Sequence, residues 1–251
     1  MQNEDKRFGR VLLKLSGEAI ANKETGEIFD AAMVAKIADI IRQLVAEGTE
    51  VGVVIGAGNI WRGAYGKGVR RARADQMGML GTMINCLRLE DAVEKAGVPV
   101  TVMSPVAMNA FAEPYNFRAA CEYLAAGKVV IFGAGLGIPY VSTDTAVVVR
   151  GAEIAADVIL MAKNVDGVYT ADPKKDPTAR RYRKISYRQC VDDDLHAIDE
   201  AAAIIAAEQD IDAYVFSLDD PDNILRVIRG EELGTLLSSD EETKAEFYPE
   251  S

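Results

Sequence analysis

The sequence holds one histidine, three cysteines, and 28 lysines and arginines against 39 acids, and each shortage closes off a class of function. His196, the lone imidazole, lies in the acidic run DDDLH and reads as a surface or helix-end residue, so chemistry built on a histidine base is not expected. Cys86, Cys121 and Cys190 are far apart and form no CxxC pair, which removes the usual zinc and dithiol motifs and leaves reduced, mostly buried thiols. A formal charge of −11 makes nucleic acid and anionic membranes poor partners, because both repel such a surface. Any anionic ligand has to be gripped locally. No apolar stretch approaches the roughly 18 residues of a membrane span, and the opening MQNEDKRFGR lacks the apolar run of a signal peptide. The expectation is a soluble, cytoplasmic protein.

Also missing are a repeat period, a low-complexity tract and any linker-like segment, so one domain over residues 1–251 is expected. In the last 21 residues seven acids face one lysine, and the tail at 239–251 reads as solvated chain rather than as a site.

What is present is an alternation of two hydrophobic periods. RVLLKL at 10–15 and VGVVI at 51–55 read as buried strands, while residues 31–47 put Val34, Ile37, Ile41, Leu44 and Val45 on one helical face between an Asp30 N-cap and a Gly48 C-cap. A helical pattern runs from about 72 to 96, strands fall near 99–103, 128–132 and 157–161, and helices near 116–126 and 143–155. A hairpin-like segment at 165–184 precedes a helix near 199–209, a strand at 213–216, a helix near 221–229 and a strand near 234–237. This order predicts an α/β fold, a three-layer αβα sandwich around a mainly parallel sheet.

In open α/β sheets ligands gather where strands end and helices begin. Four such junctions carry unusual loops. In KLSGE at 14–18, Lys14 offers a compact charge for phosphate oxygens, and Ser16 and Gly17 allow close backbone approach. GAGNIWRG at 56–63 has Gly56, Gly58 and Gly63, which breaks the G-x-G-x-x-G spacing; no G-x-x-x-x-G-K-[ST] string exists either, so dinucleotide and P-loop sites are both out. Arg62 in that loop suits bidentate grip of a phosphate, whereas Lys67, Arg70, Arg71 and Arg73 read as solvated. GAGLGIPYVSTD at 133–144 ends in Ser142-Thr143-Asp144, a capping sequence whose Thr143 hydroxyl and helix-start amides also suit a phosphoryl group, with Asp144 placing a lysine or a magnesium ion. AKNVDGVYTADP at 162–173 is either a plain hairpin surface or a nucleotide site, with Tyr169 beside a base, Asp172 accepting from ribose and Lys163 neutralising phosphate.

Taken together and in this order, KLSGEA, VIGAGNIWRG, ADQMGML, STDTA and VDGVYTADP resemble the bacterial uridylate kinases of the amino-acid kinase superfamily, over about residues 9–238. The resemblance implies magnesium-dependent transfer of the ATP terminal phosphoryl group to UMP in pyrimidine nucleotide synthesis. It implies that Lys14, Leu15, Ser16, Gly17, Gly58, Arg62, Lys163, Tyr169 and Asp172 serve ATP, with Lys14, Arg62 and Asp144 at the catalytic centre. Ala57, Asp75, Leu136, Gly137, Ile138, Pro139, Tyr140, Val141, Ser142 and Thr143 would form the UMP site, Asp75 holding the ribose. No metal ligand from the protein is implied. A homohexamer responding to GTP and UTP belongs to the same expectation. Three departures stand out: Ala57 and Ala74 replace family glycines, and Leu136-Gly137-Ile138-Pro139 replaces TGNP. A methyl at Ala57 would crowd a phosphate if that residue needed a positive φ. Two alternatives stay open at this point, a kinase of the same fold acting on a small carboxylate or carbamate, and a non-catalytic nucleotide-binding protein.

Overall fold

A computed structural model describes residues 8–22, 25–61, 68–195 and 197–249. Its strands lie in one mixed, mainly parallel sheet, and helices cover both faces. The first strand, β1 (Arg10–Leu15), shows why the core strands read as unbroken apolar runs. Side chains alternate across a strand. Val11, Leu13 and Leu15 therefore join a core under α1 (Ala31–Ala46), α2 (Arg71–Lys95) and α7 (Asn223–Ile228). Leu12 faces the other way, into a core under α3 (Phe117–Ala125), α4 (Thr143–Glu153), α5 (Tyr187–Asp192) and α6 (Glu200–Glu208). With both faces buried, no polar alternation is tolerated.

The remaining strands are β2 (Glu50–Ile55), β3 (Val100–Ser104), β4 (Glu113–Pro114), β5 (Val129–Phe132), β6 (Val158–Lys163), β7 (Tyr182–Ser186), β8 (Ala213–Ser217), β9 (Thr235–Ser238) and β10 (Glu246–Phe247). Their order across the sheet is β10-β7-β9-β8-β6-β1-β2-β5-β3-β4. β1 pairs in parallel with β2 on one side and β6 on the other, in register Leu15↔Ile55 and Leu15↔Ala162. Antiparallel pairs occur only towards one edge among the described residues, at β8–β9 and β7–β10. The chain steps from β1 outward in one direction and later returns to the opposite side of β1. This reversal opens a crevice at the carboxyl ends of β1, β2 and β6.

Element positions follow the sequence reading to within a few residues, and the 165–184 segment does return on itself through an antiparallel bridge between Tyr169 and Arg181. The tail reading is corrected. Glu246 and Phe247 pair with β7, Phe247 stacks on Tyr182 at 4.4 Å, and the Tyr248 hydroxyl donates to the Gly234 carbonyl at 2.8 Å. Aromatic burial and edge pairing outweigh the acidic composition of that segment. The three thiols are free; Cys86 and Cys190 are buried, and burial pushes the Cys190 thiol up to about 12. No helix among the described residues is long and apolar enough to cross a membrane.

Candidate active site

Strand parity delivers the two central cations. Lys14 is two residues beyond Leu12 on β1, and Lys163 is two beyond Met161 on β6, so both leave the sheet on the face covered by α4. There they meet Asp144 in the first turn of α4. Lys14 Nζ lies 2.8 Å from Asp144 Oδ1, and Lys163 Nζ donates to Oδ2 at 2.8 Å. Lys163 also donates to the Ala197 carbonyl, fixing its ammonium from a second side. Burial alone would raise the Asp144 carboxyl, but the two lysines hold it down at about 2. Burial pushes the Lys163 ammonium down while Asp144 opposes that shift. Two ammonium groups face one directly paired carboxylate, with the Asp199 carboxylate acting on Lys163 from the α6 N-terminus, and the two ammonium groups are the charges available to phosphate.

The glycines of the first two loops are there for closeness. A Cβ on Gly17 would come within 2.6 Å of Asn59 Oδ1 and 2.8 Å of the Gly58 nitrogen, so only glycine lets the β1 and β2 loops touch. Gly56 lies between Gly17 and Thr143: a Cβ there would sit 3.6 Å from the Gly17 nitrogen and 3.6 Å from the Thr143 hydroxyl. The β2 loop is held by an amide pair, half-buried Asn59 and buried Asn85 donating to each other at 3.0 and 2.8 Å, with Asn85 also donating to the Gly56 carbonyl at 2.7 Å. Ala57 has no positive φ, so its methyl carries no backbone strain; it turns towards Gly81 of α2, where an added Cβ would approach it to 3.0 Å. The crowding considered from sequence does not arise. Leu15 is fully buried, so only its backbone can meet a ligand.

Beside this centre lies a cleft of about 580 Å³, counted to its open mouth, lined among others by Ala57, Asp75, Leu136, Ile138, Val141, Ser142 and Thr143. Seven of the ten residues expected around the acceptor thus line one cleft. Gly137, Pro139 and Tyr140 belong to the same loop without lining that cleft. Ala134, Gly135, Gly137 and Tyr140 all have positive φ, so the loop is tightly coiled and held from outside. The Ala134 amide donates to Thr82 Oγ1 at 2.9 Å, and the Tyr140 amide donates to Asp75 Oδ2 at 2.9 Å. Asp75 also accepts from Arg71 Nε at 2.9 Å through both oxygens. Arg150, buried under the ring of Tyr115 at 3.5 Å and paired with Glu153, donates to the Gly135 carbonyl at 3.2 Å.

Ser142 caps α4 by accepting from the Asp144 and Thr145 amides at 3.0 and 3.2 Å. Those two amides are therefore spent within the helix, and the Thr143 hydroxyl is the helix-start group that faces Gly56. Ser142 and Thr145 both donate to Asp199, the N-cap of α6, which locks the two helices together. On the fourth loop, Asn164 donates to Glu18 at 2.9 Å, Tyr169 donates to Asp166 at 2.9 and 3.1 Å, and Asp172 accepts from the Lys174 amide at 3.0 Å. Arg62, Lys67 and His196 lie outside the described residues. Arg70, Arg71 and Arg73 are exposed, and the last two bind their own helix turn at Asp75 and Gln76. No group of three or more His, Cys, Asp or Glu among the described residues is placed to hold a metal ion.

Sequence reasoning missed Asn59, Thr82, Asn85, Arg150 and Asp199. A signal existed on α2, where small or polar Ala74, Gly78, Thr82 and Asn85 recur at helical spacing on the face turned to the loops.

The model of the amino acid kinase family matches residues 9–217. A solved UMP kinase from Bacillus anthracis is 40% identical, with 96% of this chain and 99% of that chain covered and a TM-score of 0.91. A UMP kinase from Ureaplasma parvum is 33% identical, covering 92% and 99%, with a TM-score of 0.87. A uridylate kinase from Archaeoglobus fulgidus is 28% identical, covering 91% and 99%, with a TM-score of 0.69. With its two lysines bridged by one aspartate at the switch point of the sheet, and with this match over most of its length, the chain belongs to the amino acid kinase family.

Proposed function

We propose that this protein is a UMP kinase, transferring the terminal phosphoryl group of ATP to UMP. The observation that carries the reading is the Lys14–Asp144–Lys163 centre opening onto the 134–143 cleft, in a chain 40% identical to a UMP kinase over nearly all its length. Transfer between two phosphates requires alignment and charge neutralisation rather than a covalent nucleophile or a strong base. Lys14 and Lys163 stabilise charge on the transferring group, Asp144 fixes both ammonium groups, and the Thr143 hydroxyl orients the acceptor phosphate. Gly17 and Gly58 admit the ATP phosphates, with Leu15 and Ser16 contributing backbone; Arg62 lies between donor and acceptor. Tyr169 and Asp172 take the adenosine half. Asp75 receives the ribose of UMP by exchanging its exposed Arg71 partner.

Magnesium would be supplied with ATP and would neutralise phosphate charge there. Both Asp144 oxygens already carry a lysine, which suits a centre that receives a metal on phosphate oxygens rather than one that supplies a dedicated carboxylate cage. A homohexamer, sensitivity to GTP and UTP, and a cytoplasmic setting form part of this reading, as does treatment of the chain as one kinase domain.

The test is ADP release by the purified protein with Mg-ATP and, in turn, UMP, CMP, dUMP, aspartate, glutamate and carbamate. UMP should exceed every other acceptor in kcat/KM. Preference for a carboxylate or carbamate, or no turnover with any acceptor, overturns the proposal.

A further inference from the structure

The carboxyl-terminal strand is attached to the loop that the proposed function assigns to the donor nucleotide. β10 pairs with β7, in register Glu246↔Lys184 and Phe247↔Tyr182. β7 continues directly from the return limb of the 164–181 segment, whose Arg181 bridges back to Tyr169. The attachment involves the arginines of that limb. Arg180 lies over the Phe247 ring at 4.2 Å, and Arg181 lies over the Tyr248 ring at 4.2 Å. The Tyr248 amide donates to the Arg181 carbonyl at 3.1 Å, and Arg183 is ion-paired with Glu246.

Arg181 is the hinge of the network. Its guanidinium, stacked on Tyr248, also pairs with Asp166, and Asp166 accepts from the Tyr169 hydroxyl. Besides its bridge to Arg181, Tyr169 is thus linked through Asp166 and the Arg181 guanidinium to an aromatic ring 79 residues away in the chain (248 − 169). The base of the limb is held by hydrogen bonds of Val168 to Tyr182 and Thr235 and of Thr170 to Arg180, whereas Thr170, Asp172 and Arg180 are themselves exposed, so the tail adds restraint on the outer side. The acidic tail and the run Arg180, Arg181, Arg183 and Lys184 are also complementary in charge, which explains why an acidic segment docks here rather than remaining in solvent.

We propose that residues 246–248 act as a clamp on the donor loop, with Phe247 and Tyr248 as positioning residues that preset Tyr169 for ATP. The inference rests on the assignment of Tyr169 to the donor side. Preorganising a loop in its bound form lowers the cost of binding without changing the reacting groups. Removal of the clamp should therefore raise KM for ATP and leave chemistry at saturation alone.

Three variants of the full chain test this: deletion of residues 240–251, Tyr248→Ala and Tyr248→Phe. The deletion and Tyr248→Ala should raise KM for ATP by roughly tenfold, with KM for UMP and kcat within about twofold. Tyr248→Phe keeps the ring over Arg181 and should restore most of the affinity. Tyr169→Ala separates the two layers of the argument. If it leaves KM for ATP unchanged, the donor-side assignment fails. If it raises KM for ATP while the tail variants do not, the clamp alone fails. Tyr169→Ala introduced into the deleted chain should add little, because both changes break one network. Equal losses in kcat and in both KM values, following a lowered melting temperature, would reduce the tail to a stability element and overturn the proposal.

Discussion

Replacing Asp144 with asparagine keeps the shape of the central side chain and removes what the two lysines share. Asp144 offers an oxygen to Lys14 and the other oxygen to Lys163, each at 2.8 Å. Asparagine has one acceptor oxygen, so one lysine must face an amide N–H₂ that can only donate. A carboxyl held at about 2 in the folded chain, against 3.8 ordinarily, stabilises the fold by roughly 2 kcal/mol. Leaving two buried ammonium groups without their counter-charge raises the cost to about 3 kcal/mol. For a chain of this size that corresponds to a drop in melting temperature of roughly 6–12 °C. The sign of the pH effect follows from the lowered pKa. The contribution of Asp144 is complete above about pH 4 and is lost as pH falls from 3.8 towards 2, so the stability gap between wild type and Asp144→Asn should narrow in that window.

Activity should respond differently from stability. Without the carboxylate the centre is more positive, so ground-state attraction for ATP persists and KM for ATP should stay level or fall. The lysines are no longer aimed at the transferring group, and misplaced charge stabilisation of this kind costs about 10²–10³ in kcat. Steady-state ADP release at a temperature well below both melting points, with urea unfolding at pH 7 and at pH 2–4, measures both effects. A kcat within threefold of wild type would refute the catalytic geometry. An unchanged stability gap across the acid window would refute the assigned charge state.

Gly17→Ala should abolish most activity and lower the melting temperature, because its methyl would strike the Gly56 carbonyl and Asn59 of the β2 loop; a variant with normal kcat/KM would show that the two loops need not touch. The double variant Leu136→Thr, Ile138→Asn should keep UMP as its preferred acceptor with kcat/KM changed by less than about 100-fold. A switch of acceptor, or UMP turnover found only in the double variant, would show that those two positions set the preference.

The sheet was legible because its signal is local. Buried strands such as 10–15 and 158–163 are apolar on both faces, and capped helices such as α1 carry their boundary in Asp30, which accepts from the Ala32 and Met33 amides. Lys14, Asp144 and Lys163 could be named singly, yet their meeting depends on strand parity in two strands that become neighbours only in the sheet. Short elements were out of reach. β4 and β10 have two residues each and exist through pairing with β3 and β7, and α5 is a six-residue turn whose periodicity is too brief to read. The acidic tail misled because charge counts ignore Phe247 and Tyr248, the residues that decide where it goes.

The acceptor loop shows how the apolar Leu136 and Ile138 are compatible with a site for a polar base. Were the loop's shape set by side chains at those positions, replacing Thr and Asn would dismantle it. Its shape is set elsewhere. Gly135 and Gly137 supply positive φ, Thr82 holds the Ala134 amide, Arg150 holds the Gly135 carbonyl and Asp75 holds the Tyr140 amide. Ile138 is 54% exposed at the rim of the cleft, where a polar side chain would be solvated before binding and would gain only a small net energy from a new partner. Main-chain N–H and C=O groups of a loop fixed from outside present the same donors and acceptors whatever the side chains at 136 and 138. On the proposed function, base recognition would then fall to main-chain groups of this loop, with the cleft-lining Leu136 and Ile138 providing apolar cover. The buried Arg150, paired with Glu153 and holding the carbonyl of cleft-lining Gly135, is with Thr82 and Asp75 one of the residues on which that backbone conformation depends.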